Sequence, residues 1–301
     1  MFRKLKILQQ MVRSGPKHAF LMGFRLNSTS VDKVLSFVYS RLETGEKFFI
    51  VTPNPEIILM AKNDWLLRKA LEKSDLAVPD GIGLAMAYKF LNMNNYKGHF
   101  LRLPILLLQG LFVGLAVFFD RKWLTEELSI IKGRELFMKL AKLADERKLR
   151  VYLFGGENGE QEKTEAILSG RFKNAVFKTY HVFPKYNRKG QPASADDRKL
   201  HKKVLGNIKL FEPDLIFVAL GCPRQEKWIL RNFFRLKAVG AMAVGGSFNY
   251  VAGNMAVPPR WMEKYGLEWI WRLITDPKRY KRILNAWPIF PWKVFIYKLR
   301  K

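Results

Sequence analysis

Residues 214–228 read DLIFVALGCPRQEKW. One aspartate precedes six apolar residues, and the run stops at Gly221 before a polar stretch that opens on Arg-Gln-Glu. So short an apolar run, closed by glycine, reads as a strand buried on both faces, with a helix starting just past Pro223. A buried strand, a tight turn and a helix make the repeating unit of a parallel sheet.

The same unit recurs along the chain. Short apolar runs at 48–52 (FFIVT), 75–79 (DLAVP), 150–154 (RVYLF), 175–179 (AVFKT) and 238–244 (AVGAMAV) read as further strands. Helical patterns lie between them at 30–43, 55–73, 134–148, 158–171, 196–209 and 224–236. The expected fold is α/β, a mainly parallel sheet with helices on both faces. The alternation breaks twice, at an apolar insert (about 91–128) and after 258, where the chain turns basic and tryptophan-rich. These breaks suggest a basic amphipathic N-terminal segment (1–22), an α/β domain (23–257) and a helical appendage (258–301).

Charge narrows the partners. Lys and Arg total 53 against 26 Asp and Glu, a net +27 with pI near 10.2. An anionic partner is expected: nucleic acid, an acidic membrane surface or a phosphate-bearing substrate. The single cysteine, Cys222, excludes an intramolecular disulfide framework, and the four scattered histidines show no metal-ligand spacing. No metal and no cofactor are expected. Residues 103–119, LPILLLQGLFVGLAVFF, hold one polar side chain, Gln109. This run reads either as a membrane-embedded or re-entrant segment, or as a buried or homo-oligomer-forming helix; Pro104, Gly110 and Gly114 weaken a single span.

Five polar or glycine-rich clusters follow apolar runs: TPNPE (52–56), PDGIG (79–83), GGENGE (155–160), GCPRQEKW (221–228) and GGSFNYVAGN (245–254). In a parallel sheet all five converge on the carboxyl edge, where open α/β sheets bind ligands. GIGLAM does not complete G-x-G-x-x-G, Asp80 would face a pyrophosphate there, and no Walker P-loop exists. Asp80 therefore meets a hydroxyl or an amide, or simply caps the next helix. Thr52 and Asn54 have an ordinary helix-cap alternative, and Gln225 and Glu226 a first-turn one. Cys222 as a nucleophile is the weaker reading, with no histidine nearby in sequence.

Taken together, VTPNPEIILMAKND, DLAVPDGIGLAMA, PDLIFVALGCPRQEKWI, AVGGSFNYVAGN and GLEWIWRLITDPKRYKR resemble the WecG/TagA/CpsF glycosyltransferases, over about 23–90 and 133–285. The resemblance implies a Rossmann-like sheet and a membrane-associating C-terminal appendage. It also implies inverting, metal-independent transfer of an N-acetylmannosamine-type sugar from a UDP-sugar donor to a polyprenyl-diphosphate-linked sugar acceptor. That reaction belongs to cell-wall or surface-polysaccharide assembly at the cytoplasmic face of the membrane. By motif, Asp80 would be the catalytic base, Thr52 and Asn54 would lie in the pocket, and Gln225 would contact substrate. Arg272, Arg279 and Arg282 would hold the diphosphate. The remaining substrate-binding candidates are Gly81, Gly155, Gly156, Gly221, Pro223, Lys227, Gly245, Gly246, Ser247, Phe248 and Asn249.

The chain departs from the family pattern at Asn249, at Val257 and in IIKGRE, where Glu135 stands for Asp and an expected arginine is missing or displaced to Lys132 or Arg134. A nucleotide-cofactor oxidoreductase is the first rival, disfavoured by the missing glycine fingerprint. A non-catalytic nucleic-acid binder is the second, but the basic residues interleaved with Trp269, Trp271, Trp287 and Trp292 suit a membrane interface as well. The anionic membrane surface is the expected macromolecular partner, not nucleic acid.

Overall fold

The six apolar runs form one six-stranded sheet, parallel throughout, in the computed structural model, which describes residues 17–95, 98–157, 159–277 and 280–301. The chain begins with strands β1 (Lys17–Leu21) and β2 (Phe24–Ser28), then α1 (Val31–Thr44), β3 (Phe48–Val51), α2 (Pro55–Lys62), α3 (Trp65–Lys73), β4 (Leu76–Ala77) and α4 (Ile82–Asn92). The insert follows as α5 (His99–Phe119) and α6 (Arg121–Thr125). Next come α7 (Gly133–Glu146), β5 (Arg150–Gly155), α8 (Glu160–Arg171), β6 (Val176–Lys178), α9 (Ala195–Phe211), β7 (Leu215–Ala219), α10 (Arg224–Asn232), β8 (Gly240–Ala243) and α11 (Ser247–Val251). The appendage is α12 (Arg260–Lys264), α13 (Glu268–Thr275), α14 (Tyr280–Leu284) and α15 (Phe290–Leu299).

Spatial order is β4-β3-β8-β7-β5-β6. The chain builds outward from β3 to one edge and from β5 to the other, then fills the centre with β7 and β8. Alternate residues serve opposite faces, as the two-residue period of a strand requires. Phe49, Val51, Tyr152, Phe154, Ile216 and Val218 face one apolar layer, while Phe48, Ile50, Val151, Leu153, Leu215 and Phe217 face the other. Helices cover both faces, which is why these strands are apolar throughout.

Two local readings change. The helix expected over 55–73 is two helices, because Asp64 accepts a hydrogen bond from Leu67 N–H (3.1 Å) and starts α3 afresh. Residues 17–21, assigned by sequence to the amphipathic N-terminal segment, form β1, and 1–16 lie outside the described residues. The β1–β2 turn places Met22 and Gly23 at positive φ, a hairpin geometry. Buried Asn27 accepts from Ala77 N–H at 2.7 Å, so the hairpin covers the β4 edge of the sheet.

The apolar run folds as one helix, α5, long and apolar enough to cross a membrane by length and composition. Leu106, Val113, Ala116 and Val117 pack into the domain core, while the outer leucines and phenylalanines face away from the protein. Its polar residue has a definite use. Gln109 Oε1 accepts from Lys298 Nζ (2.8 Å), which also donates to the carbonyls of Phe90 (2.5 Å) and Met93 (3.0 Å). Lys298, from the basic tail, is thus fully buried between α4, α5 and α15, and burial pulls its pKa down to about 8.

Lys227 is buried on the far side of α10, where it pairs with the α3 cap Asp64 (2.5 Å) and with the Arg188 carbonyl (3.0 Å). Asp64→Ala removes a cap and strands a buried cation. The expected loss is about 3–5 kcal/mol of unfolding free energy, read by urea denaturation, whereas Asp196→Ala on the exposed face of α9 stays within about 0.5 kcal/mol.

Candidate active site

The carboxyl ends of β3, β4, β5, β7 and β8 enclose one pocket, closed from above by the appendage. Thr52, Asn54, Asp80, Gly156, Gly221, Gln225, Gly245, Gly246, Ser247, Asn249, Arg272 and Arg282 all line it. Twelve of the residues singled out by sequence therefore meet in one place, although they span positions 52 to 282.

Asp80 sits at the pocket floor, partly accessible yet deep below the outer surface. It does not cap the helix that follows it, because Gly81 holds the N-cap position of α4 without a side-chain bond. Instead its Oδ2 accepts from Gly133 N–H at 3.2 Å, at the first residue of α7. The carboxylate thus lies at the positive end of a helix reached from another part of the chain. Burial pushes its pKa above the ordinary carboxylate value, while Arg272, Gly133 N–H and Arg134 pull the other way.

Gly133 is a glycine for want of room. A Cβ there would lie 2.9 Å from Thr52 Oγ1 and 3.2 Å from Asp80 Oδ2. Its flanking residues, Lys132 and Arg134, line the pocket too and reach up to the appendage. Lys132 Nζ lies 2.8 Å from Glu263 and 2.9 Å from Glu268, and Arg134 pairs with Glu263 and lies over the Tyr250 ring. Lys132 and Arg134, the two positions to which the sequence could have moved the family's arginine, are thus both paired with appendage carboxylates, whereas Glu135 is solvent-exposed.

The bland readings of two candidates hold alongside the functional ones. Asn54 caps α2 by accepting from Ile57 N–H at 2.9 Å, and it still lines the pocket. Gln225 is a first-turn residue of α10 whose amide is committed internally. It donates to Glu226 (2.8 Å) and accepts from Gly245 N–H (3.0 Å), tying α10 to the turn after β8. It thereby holds that turn in place while lining the pocket, and its NH2 carries a second donor beyond the bond to Glu226. Cys222 has its thiol pKa pushed up by burial and by Glu226 beside it, opposite to what a nucleophile needs.

Several candidates do not reach the pocket. Lys227 is consumed by Asp64, and Phe248 is buried under the sheet against Phe137. Gly155 ends β5 where a Cβ would meet the Ala219 backbone at 2.9 Å, so its smallness serves strand packing. Gly81 shapes the turn after Asp80 at φ +98. Pro223 lines an adjoining depression shared with Arg188, Arg224, Lys281 and Arg282. Arg279 lies outside the described residues. Sequence reasoning missed Tyr250 and Glu268 as pocket residues: Tyr250 sits on a short helix just after β8, and Glu268 on the first long helix of the appendage, which only its docking brings to the pocket.

Arg272, set beside Tyr250, Asp80 and Glu268, brings a guanidinium close to the base candidate in addition to that of Arg134. Arg282 Nε is fixed by Glu56 at 2.7 Å. Among the described residues no group of three His, Cys, Asp or Glu side chains is placed to hold a metal ion.

Residues 19–100 and 111–301 match the Glycosyl transferase WecG/TagA/CpsF family. The chain belongs to this family. It is also similar to the N-acetylglucosaminyldiphosphoundecaprenol N-acetyl-beta-D-mannosaminyltransferase of Staphylococcus aureus strain NCTC 8325 / PS 47, with 27% identity over 286 residues, 94% of each chain. The enzyme of the same name from strain MRSA252 gives the same identity and coverage. The protein is thus a glycosyltransferase, and the oxidoreductase and nucleic-acid readings are set aside. The family match omits residues 101–110, the first half of α5.

Gly133→Ala tests the crowding at the base. Overpacking here should cost about 1–3 kcal/mol and lower the melting temperature by a few degrees without unfolding the protein. Transfer activity should fall on the order of 100-fold as Asp80 is displaced; unchanged activity would show that the contact does not position the carboxylate.

Proposed function

We propose that this glycosyltransferase moves an N-acetylmannosamine-type or related hexose from a UDP-sugar onto a polyprenyl-diphosphate-linked sugar, with inversion. The reaction would serve cell-wall or surface-polysaccharide assembly at the cytoplasmic face of the membrane. The observation that carries the reading is Asp80: a carboxylate at the floor of the carboxyl-edge pocket, held by Gly133 N–H and facing Arg272. The relatives are named for an acceptor built as N-acetylglucosamine on diphosphoundecaprenol, and that acceptor class is carried here from them.

The chemistry is a single displacement. With Oδ2 engaged by Gly133, Oδ1 of Asp80 takes the proton from the acceptor hydroxyl as its oxygen attacks the anomeric carbon of the donor. The bond from that carbon to the diphosphate breaks on the opposite face, and its electron pair leaves with UDP. A base so placed contributes on the order of 10²–10⁴-fold. Charge gathering on the diphosphate is met by Arg272 and Arg282, the second already fixed by Glu56. Arg272 serves twice, since it also favours the ionised form of Asp80 in a buried site.

A UDP-release assay over a panel of UDP-sugars, with and without a lipid-diphosphate sugar acceptor, tests the reading. One donor should give release that depends on acceptor; no acceptor-dependent release with any donor would overturn it. The pH profile follows from the signs. The base works only when ionised, and burial raises its pKa, so the acid limb of kcat/KM should lie above that of an ordinary exposed aspartate. Arg272→Met removes a charge that lowers that pKa, so the limb should move further up. A limb that stays or moves down would contradict the pairing.

A further inference from the structure

We infer that α5 is an in-plane membrane helix, which lays its outer face into the surface of an anionic bilayer and does not span it. This deepens the membrane-surface part of the proposed function and otherwise stands on its own geometry.

The outer face is apolar without interruption. Leu103, Leu107, Leu108, Leu111, Leu115 and Phe118 are all exposed, at 46–65% of their surface. Covering so large a face takes a partner, because soluble surfaces seldom leave one bare. The inner face rules out a span. Leu106, Val113, Ala116 and Val117 are buried in the domain along the helix, and Gln109 receives the buried ammonium of Lys298 midway. Arg102 donates to the Lys298 carbonyl near one end (3.3 Å), and Arg121, just past the other, donates to the carbonyls of Glu263 (2.6 Å) and Lys264 (2.9 Å). A spanning α5 would drag these charges and the folded domain into hydrocarbon. An interfacial helix needs only its outer side immersed, by about 5–10 Å.

The aromatic surroundings of the face favour a bilayer over a second copy of the chain. Beside the middle of the helix, next to Gly110, Phe90, Phe295 and Trp292 stack outward with ring centroids 6.1 and 5.8 Å apart, ending in an exposed indole. Toward its C-terminal end Phe118 stacks on Tyr265 (5.8 Å), in the same segment as exposed Trp261. Indoles flanking an apolar strip suit the headgroup region. Charge agrees: each chain carries +27, so two copies face to face repel, while an anionic surface attracts. The position is also useful. Glu263, whose backbone Arg121 grips, holds Lys132 and Arg134 in the pocket wall. A contact chain of a few residues therefore runs from the membrane helix to the active site, and a long-chain diphosphate acceptor would be met where it lies.

The test uses the full chain and the variant Leu107→Gln/Leu108→Gln/Leu111→Gln/Leu115→Gln, all exposed positions outside the catalytic pocket. Co-sedimentation is read with vesicles of phosphatidylcholine alone and of phosphatidylcholine with phosphatidylglycerol. The wild type should bind the anionic vesicles, and the variant at least roughly tenfold less, given the transfer free energy of four leucines. Circular dichroism and the melting temperature should be unchanged. With a water-soluble short-chain acceptor both proteins should turn over alike, whereas only the wild type should be stimulated by vesicles carrying the long-chain acceptor. Equal vesicle binding by wild type and variant overturns the proposal. So does a concentration-dependent dimer in sedimentation velocity that the four substitutions dissolve without lipid. Failure of catalysis in both proteins, with vesicle binding intact, would instead fault the proposed reaction and leave the membrane helix standing.

Discussion

At the centre of the molecule three segments come so close that one of them has no room for a side chain. Thr52 follows β3, Asp80 follows β4, and Gly133 opens α7; a Cβ on the last would overlap Thr52 and crowd Asp80. The closeness gives the Asp80 carboxylate a backbone N–H partner from a helix start, without which burying it would be costly. It also fixes where α7 begins, and so where Lys132 and Arg134 stand. The same contact organises a structural joint and a reactive group. Asp80 is in effect a helix cap after all, but of a helix 53 residues further on.

From that joint the structure reaches outward by ion pairs. Lys132 and Arg134 bind Glu263 and Glu268 in partly buried pairs, joining the sheet domain to the appendage. Removing one member of such a network leaves its partner charge uncompensated, so the appendage is held in one orientation more than it is stabilised. Arg272 and Arg282 enter the pocket because of that docking. The basic tail is therefore two things at once, a pocket roof and a surface, with Lys298 turned inward to latch α15 against α5.

The parallel sheet was legible because its strands are short, apolar on both faces and ended by glycine or proline, a pattern that leaves few alternatives. The carboxyl-edge pocket followed from topology. What escaped sequence reading depended on contacts between distant segments. The β1–β2 hairpin is too short to show a period, and it is held by burial of Leu21, Phe24 and Leu26 in the core and by the Asn27 bond to β4. Lys227 sits within a pocket motif, yet the helix turns it away toward Asp64, since successive residues of α10 point to different sides. Gln225 was assigned to substrate by resemblance; it lines the pocket and its amide also ties Glu226 to the turn at Gly245, a contact between distant segments that no local pattern announces. Tyr250 lies inside the GGSFNYVAGN cluster without being singled out there, and Glu268 carries no local signal, because only the docked appendage brings it to the pocket and sets Arg272 beside Tyr250.

The account stands on Asp80 as the base, and Asp80→Asn tests it most directly, since the amide keeps the shape and can still accept from Gly133 N–H. Transfer to the lipid-diphosphate acceptor should fall by about 10²–10⁴-fold while UDP still raises the melting temperature as it does for the wild type. Full transfer by Asp80→Asn would contradict the assignment and leave the pocket without its base.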